Sequence, residues 1–518
     1  MAEPALMAMS GKQTRKKIHS IQDLERVLAG LRSEGRRVVH CHGVFDPLHI
    51  GHIRHFEQAR KLGHVLVVTI TPDRFVNKGP HRPVFPEELR AEAVASLECV
   101  DFVAVNQWPM AIEAIERLQP DVFAKGSEFR NKADRTGAIP LEQEAVERVG
   151  GRIEFTEDIT FSASNLVNRH FQVFPKEVTD YLTGFSGRYS AQTIFDYLEG
   201  IRPLKILLVG EAIIDEYHYC EAIGKSSKEP TLAVKSLTME TFAGGVLAPA
   251  NHLANFCDRL ELLGMLGDRD TKEDFIDQRL DARVRRRFHH RADSPTIVKR
   301  RFIESYFFAK LFEVYEMNDA HMMESDHDAV YAMIKEHIAD FDMVIVFDFG
   351  HEMIGPKTVK LLCDEARFLA VNTQSNAGNH GYHTVSKYPR ADYFCVAEME
   401  MRLDARDRRG DLHSMLGQTA HRLGCQAAVV TCGRKGCLCF GRDEGFVQVP
   451  ALAGKVVDRV GAGDAFLSLT APCVYQRAPL EIVGFIGNAA AAQAVTIVGN
   501  RESIEKKPLV RYIEHLLK

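Results

Sequence analysis

The 518-residue sequence has no apolar run approaching the ~18 residues that a membrane-spanning helix requires. Its first 17 residues end in Arg15, Lys16 and Lys17 with no hydrophobic segment behind them, so a secretory signal is not expected. Neither sign of charge dominates. Lys and Arg number 65 against 70 Asp and Glu, a net charge of −5, which removes any global attraction to nucleic acid or an anionic membrane. The eleven cysteines are odd in number and scattered, the pattern of reduced thiols in the cytoplasm and not of a disulfide framework. The tightest group, Cys432, Cys437 and Cys439, has no second Cys/His pair at zinc spacing and reads as two strands joined by a glycine turn. No short-period repeat is present.

What is there is an α/β chain of two domains. Residues 1–35 read as a lead-in and a helix. Residues 36–171 alternate strand-like runs (37–42, 65–70, 101–105, 121–124) with helical ones (51–62, 86–97, 109–118), which argues for a parallel sheet covered on both faces. Residues 172–202 read as a linker with one introductory helix, 191–198. Residues 203–518 resume the alternation, with strands at 259–265, 343–348, 368–372, 392–396 and 427–431. The basic cluster Arg283, Arg285, Arg286, Arg287, His289, His290 and Arg291 reads either as a solvated connector or as a phosphate-recognising patch.

The first sharp motif is Gly43-Val-Phe45-Asp46-Pro-Leu-His49-Ile-Gly51-His52, after a strand and at the start of a helix. A helix N-terminus offers unsatisfied N–H groups and a positive dipole end to phosphate oxygens. Gly51 permits close approach. His49 and His52 are positioned to donate hydrogen bonds as charge builds on a phosphate. The second is Asp458-Arg-Val-Gly461-Ala462-Gly463-Asp464-Ala. The N–H groups of Gly461, Ala462 and Gly463 form an anion hole for a phosphoryl group, and Asp464 is placed beside it to take a proton from a hydroxyl.

The first motif resembles the cytidylyltransferase-like nucleotidyltransferases, whose further landmarks occur in order: Lys78, Arg90, Lys125-Gly126, and Ser162-Ala163-Ser164. The resemblance implies a Rossmann-like domain in which Lys78 and Arg90 neutralise phosphate, Lys125 binds nucleotide, and Ser162 and Ser164 hold phosphate oxygens. Taken singly, Lys78 and Arg90 read equally well as surface charges. The second motif resembles the ribokinase-type (PfkB) sugar kinases. That resemblance implies a substrate-binding Asp215, a substrate loop at Gly244-Gly245, and nucleotide contacts at Thr431, Gly433, Gly436 and Asn488. It also implies a β lid from 216–240 and 296–315, with a homodimer through it. Three positions depart from the family: Ala248, Asn372 and Ala397. Glu400 keeps only the acid of a motif that orients metal-bound water.

The two halves together resemble the bifunctional heptose kinase/adenylyltransferases of ADP-heptose synthesis, in reversed domain order. The implied activities are phosphorylation of a sugar or sugar phosphate and nucleotidyl transfer to a sugar 1-phosphate, with Mg²⁺ accompanying ATP or CTP. Two alternatives stay open: a C-terminal domain that only binds sugar or regulates, and an N-terminal domain acting on CTP and an alcohol phosphate.

Overall fold

The computed structural model describes residues 12–76, 83–126, 138–156, 174–226 and 228–517. The chain divides into two compact units, essentially Met1–Pro175 and Lys176–Ile513.

In the first unit the apolar runs become parallel strands: β1 (Val38–Gly43), β2 (Val65–Ile70), β3 (Phe102–Val105), β4 (Val122–Gly126) and β5 (Arg152–Thr156). Their order is β3-β2-β1-β4-β5. β2 is buried at every residue, as expected of a strand covered on both faces. Strand order reverses between β1 and β4. At such a switch point the connections leave the sheet in opposite directions and open a crevice beyond the carboxyl ends of the strands. β5 and the helix Ala138–Arg148 extend the alternation beyond what the sequence pattern gave.

In the second unit one strand organises the rest. β6 (Lys205–Lys225) runs 21 residues. Its first part lies between the parallel neighbours β8 (Arg259–Arg269) and β12 (Met343–Asp348). β13 (Leu369–Thr373), β14 (Tyr393–Ala397) and β15 (Ala427–Thr431) continue the parallel sheet, and β16 (Cys437–Gly441) and β17 (Gly445–Val449) close it antiparallel. From Ala212 onward β6 pairs instead with β7 (Leu232–Gly245) and with β10 (Ile297–Glu304), which pairs with β11 (Ala309–Glu316). These four strands are the lid. The Ala-rich helices Ala462–Tyr475 and Leu480–Ala494 are buried along most of their length.

The stretch 172–202, expected as a linker with one introductory helix, holds that helix as Ala191–Glu199 and a further one ahead of it, Lys176–Arg188. The first is fixed to the second unit by Phe185 stacked on Phe485 at 4.3 Å and by Arg188 paired with Glu481 at 2.6 Å. The basic cluster falls largely on β9 (Arg285–Pro295), at the side of β8. Its charges are answered locally: Arg286 by Asp277, Arg287 by Glu261, His290 by Glu273, and Arg291 by the carbonyls of Asn318 and Ala320. That pairing favours the connector reading over a phosphate patch. No described helix is long and apolar enough to cross a membrane. All eleven cysteines are free thiols.

Candidate active sites

In the first unit β1 delivers the chain to the switch point, and the helix Ile50–Arg60 begins with His49 as its N-cap. Gly51 N–H donates to Nδ1 of His49 (3.1 Å), and His49 N–H donates to Nδ1 of His52 (3.4 Å). The imidazoles stack with centroids 3.7 Å apart. Capping fixes the chemistry of both rings. A neutral imidazole carries one N–H, and with each Nδ1 accepting, the proton resides on Nε2. Both histidines therefore carry their N–H donor at Nε2, at a helix N-terminus, and that of His49 is buried.

The loop before them is braced by residues expected to touch nucleotide. Phe45 is buried against Phe56 and His52, with centroids at 4.9 and 5.2 Å. Asp46 accepts N–H bonds from Val84 and Phe85. Arg90 donates to the carbonyls of Phe85 (2.9 Å), Val44 (2.7 Å) and Thr71 (2.8 Å) and pairs with Asp73 (2.5 Å). At 2 % exposure Arg90 is a buried clamp, which corrects the phosphate-neutralising role expected of it. Arg90→Ala leaves three carbonyls without its guanidinium donor and Asp73, among the described residues, with only the N–H bond from Glu87. It is expected to lower the stability of this unit by roughly 2–4 kcal/mol, read as a shifted urea midpoint.

Lys125 stands at the end of β4, across the switch point from β1. Its ammonium lies 2.7 Å from Glu142 and 5.0 Å from the ring of Phe123. Burial, then the Lys125 charge, pushes His40 down to about 3 and His55 down to about 4, so both are neutral. His42 was not singled out in the sequence. Its Nδ1 meets Thr69 Oγ1 at 2.8 Å and its Nε2 meets Thr71 Oγ1 at 3.3 Å, at the end of β1. Lys78, Ser162 and Ser164 lie outside the described residues.

In the second unit Gly461 takes a left-handed conformation (φ 80°) and starts the helix Ala462–Tyr475, with Asp464 in its first turn. A Cβ at Gly461 would lie 2.4 Å from Asn500 Oδ1, so both backbone and space require glycine there. Asp464 is 8 % exposed and accepts a hydrogen bond from Gln374 Nε2 (2.7 Å). Burial, then the charges of Asp215 and Glu400, raises it to about 7. A carboxylate held there is poised to exchange a proton near neutral pH.

Around it stand residues from the lid. Asp215 is 4 % exposed and pairs with Arg301, which also pairs with Glu313 at 3.0 Å. Lys299 is 7 % exposed and near enough to bias Asp464, and burial pulls its own ammonium downward. Gly244 abuts Asp215: a Cβ there would meet its Oδ2 at 2.1 Å. Gly245 takes φ 55° where β7 meets the core. His351 lies on the loop after β12, with its N–H bonded to Glu211 (3.0 Å) and a buried Nε2 that has no hydrogen-bond partner among the described residues. Lys299, Arg301, His351 and Gln374 were not anticipated. A partial signal for the first two was present: Lys299 and Arg301 are two residues apart between the apolar pairs Ile297-Val298 and Phe302-Ile303, and residues two apart in a strand share one face.

Thr431, Gly433 and Gly436 lie at the end of β15 and in the turn to β16. The amide of Asn488 donates to Cys437 Sγ (3.2 Å) and Val449 O (3.3 Å), tying its helix to β16 and β17. Glu400 accepts N–H bonds from Ser375 (3.0 Å) and Ala397 (2.7 Å), which makes it a cap of the helix Glu398–Asp404. Asn372 donates to Cys395 O (2.8 Å). No cluster of three or more His, Cys, Asp or Glu suited to a metal ion occurs among the described residues.

A family model described as pfkB family carbohydrate kinase matches residues 203–507, and one described as Cytidylyltransferase-like matches residues 40–169. Among curated proteins, "Bifunctional protein HldE" of Syntrophotalea carbinolica is 34 % identical over 166 residues, 32 % of this chain and 33 % of that protein. The protein of that name from Desulfatibacillum aliphaticivorans is 37 % identical over 153 residues, 29 % and 30 % of the two chains. These matches fall in the cytidylyltransferase-like region, and the chain spans about one third of the length of the relatives it matches. Among solved structures, a ribokinase of Thermotoga maritima is 18 % identical, with TM-score 0.46 over 60 % of this chain and 99 % of that one. Phosphofructokinase-2 of Escherichia coli is 14 % identical, with TM-score 0.48 over 61 % and 100 %.

Proposed function

The chain belongs to the pfkB family of carbohydrate kinases and carries a cytidylyltransferase-like segment ahead of the kinase domain, and on that premise we propose that it is a two-site enzyme making a nucleotide-activated sugar. The observation that carries the reading is Asp464: a buried carboxylate raised to about 7, in the first turn of a helix that opens at a left-handed glycine. Asp464 takes the proton of an acceptor hydroxyl as the hydroxyl oxygen attacks the γ-phosphorus of ATP, the bond to the β,γ-bridging oxygen breaks, and ADP leaves. The N–H groups of Gly461 to Gly463 receive the charge that develops on the transferring phosphoryl. Asp215, Gly244, Gly245 and the lid cations Lys299 and Arg301 hold the acceptor, a sugar or sugar phosphate of heptose-like size.

At the first site an oxygen of the sugar 1-phosphate attacks the α-phosphorus of a nucleoside triphosphate, and pyrophosphate leaves. His49 and His52 donate from Nε2 to the phosphate oxygens, aided by the helix N-terminus and by Lys125. The reading assigns Lys78, Ser162 and Ser164 the remaining phosphate contacts. No covalent intermediate is needed, and the rate comes from positioning and electrostatics.

Both families use Mg²⁺ with their nucleotides. Asp464 and Glu400 lie near enough for the charge of one to bias the other, and carboxylate oxygens are the ligands that cation prefers. Each oxygen of Glu400 accepts one N–H bond and retains a lone pair, which suits it to hold metal-bound water. Mg²⁺ would offset triphosphate charge. The lid carries exposed apolar side chains, including Ile223, Met239 and Phe312, and a homodimer through this face accompanies the proposal.

The sugar-binding alternative rests on Ala248, Asn372 and Ala397. Against it, Gln374 donates to Asp464 and Lys299 lies near enough to bias it, so polar groups stand beside the base despite those departures. Purified protein incubated with ATP or CTP and a panel of sugars, sugar phosphates and glycerol 3-phosphate, with products identified by mass, tests the reading. A nucleotide-linked sugar supports it. A nucleotide-linked glycerol only, or no phosphorylated sugar, refutes it.

The pH dependence follows from Asp464. Its raised value keeps the base protonated in acid, so kcat/KM for phosphorylation should rise with pH and reach half its plateau near 7. A profile flat between about pH 5 and 9 would contradict the assignment.

A further inference from the structure

Asp458, three residues before the anion hole, is the point at which the lid grips it. Oδ1 of Asp458 accepts from Lys310 Nζ (2.9 Å), from Arg459 N–H (2.7 Å) and from Val460 N–H (3.3 Å). Oδ2 accepts from the Tyr217 hydroxyl (2.6 Å) and from Gly499 N–H (2.9 Å). Lys310 belongs to β11 and Tyr217 to β6, so two of the five donors come from the lid, and one of these carries the only charge. Asp458 itself is 3 % exposed. A carboxylate that deep is held in place by its donors, because an uncompensated buried charge is costly.

The opposite wall of the hole is gripped too. Phe242 of β7 covers Gly499, where a Cβ would come within 2.8 Å of the ring, and Tyr217, Phe242 and Ile303 form one apolar cluster with Val498 against it. Asn500, next in the chain, is the residue that crowds Gly461. The grip and the acceptor residues also share strands. β10 sets Lys299 opposite Asp215 and Arg301 opposite Tyr217 on β6. Residues two apart lie on one face, so Asp215 and Tyr217 are neighbouring rungs, the first toward the acceptor and the second on Asp458.

We propose that Lys310 and Tyr217 are positioning residues through which the closed lid sets the anion hole, so that an acceptor seated beneath the lid licenses phosphoryl transfer and water is a poor substitute. The proposal rests on the kinase reading above. When the lid lifts, Asp458 loses its charged donor, the turn 458–463 relaxes, and the N–H groups of Gly461 to Gly463 leave the geometry that receives the phosphoryl charge.

The test compares wild type, Lys310→Met, Lys310→Arg and Tyr217→Phe as full-length proteins. Lys310→Met should lower kcat for phosphorylation by about 10- to 100-fold, the scale of a small misplacement at a reacting centre. KM for ATP should stay within about twofold, and Lys310→Arg should recover most of the loss. Tyr217→Phe should show a smaller fall of the same kind. A second readout needs no acceptor: amide hydrogen exchange across residues 459–463 with ADP and Mg²⁺ bound, expected to be faster in Lys310→Met than in wild type. Equal exchange in the two proteins overturns the latch, as does unchanged kcat in Lys310→Met. So does a kcat loss that Lys310→Arg fails to recover while melting temperature falls in parallel. Wild-type protein that transfers no phosphate to any sugar, yet differs from Lys310→Met in exchange, would instead count against the kinase reading alone.

Discussion

Asp464→Asn should lower kcat for sugar phosphorylation about 1,000-fold, a loss of roughly 4 kcal/mol in transition-state stabilisation. Asparagine keeps the size of the side chain and removes the base. The hole of Gly461 to Gly463 is untouched, so ATP should bind with a KM within about threefold of wild type and a residual rate should persist. The variant should also fold at least as well. Asp464 is buried beside Asp215 and Glu400, and both push its proton affinity up. An acid raised in the folded state loses its contribution to stability as pH climbs through the folded value. Above neutral pH the wild type therefore carries an unfavourable charge that asparagine lacks. A melting temperature at pH 8 equal to or above that of wild type, with the rate lost, separates catalysis from folding. A variant that keeps more than a tenth of the rate would show that another group takes the proton.

The second large effect concerns the stacked histidines. His52→Ala should lower nucleotidyl transfer about 100- to 1,000-fold, the usual consequence of deleting one preorganised donor at a developing phosphate charge. The capping arrangement adds a discriminating detail. Each Nδ1 already accepts a backbone N–H, so Nε2 is the working donor. Glutamine places its amide near the position of Nε2, and asparagine places it near Nδ1. His52→Gln should therefore retain more activity than His52→Asn, while His52→Asn should better preserve the helix cap and hence the melting temperature. The reverse order in rate would mean that the imidazoles do not act from Nε2. Phosphorylation at the other site should be unchanged in all three variants.

Much of the parallel sheet was legible because buried strands write themselves as apolar runs: Val65–Ile70, Met343–Asp348 and Ala427–Thr431 stand out without structural help. β5 and β9 did not. Arg152-Ile-Glu-Phe-Thr alternates charge with apolar side chains at a sheet edge, and β9 opens with three arginines, of which Arg286 and Arg287 are answered by Asp277 and Glu261. The helix Lys176–Arg188 was hidden by Gly184 and Gly187, and packing of Phe185 on Phe485 outweighs their low propensity. The motifs named the sites but not the depth of their members. Arg90 and Asn488 look like ligand contacts in sequence, and both are buried clamps whose donors are engaged by the protein itself. Lys299 and Arg301 went the other way. They sit in a run of three cations on a mixed strand, and only the pairing of β10 with β6 sets them opposite Asp215 and Tyr217.

On this reading one chain holds two separable phosphate chemistries, and phosphorylation at the Asp464 site supplies the substrate for nucleotidyl transfer at the His49/His52 site. The most direct measurement follows both products by mass, with ATP and an accepted sugar, in wild type, Asp464→Asn and His52→Ala. The account predicts a nucleotide-linked sugar from wild type. His52→Ala should accumulate the sugar phosphate. Asp464→Asn should produce nothing from the free sugar and a normal yield of nucleotide-linked sugar when the sugar 1-phosphate is supplied. If Asp464→Asn makes the nucleotide-linked product from free sugar, or fails to make it from supplied sugar 1-phosphate, the two-site account is wrong.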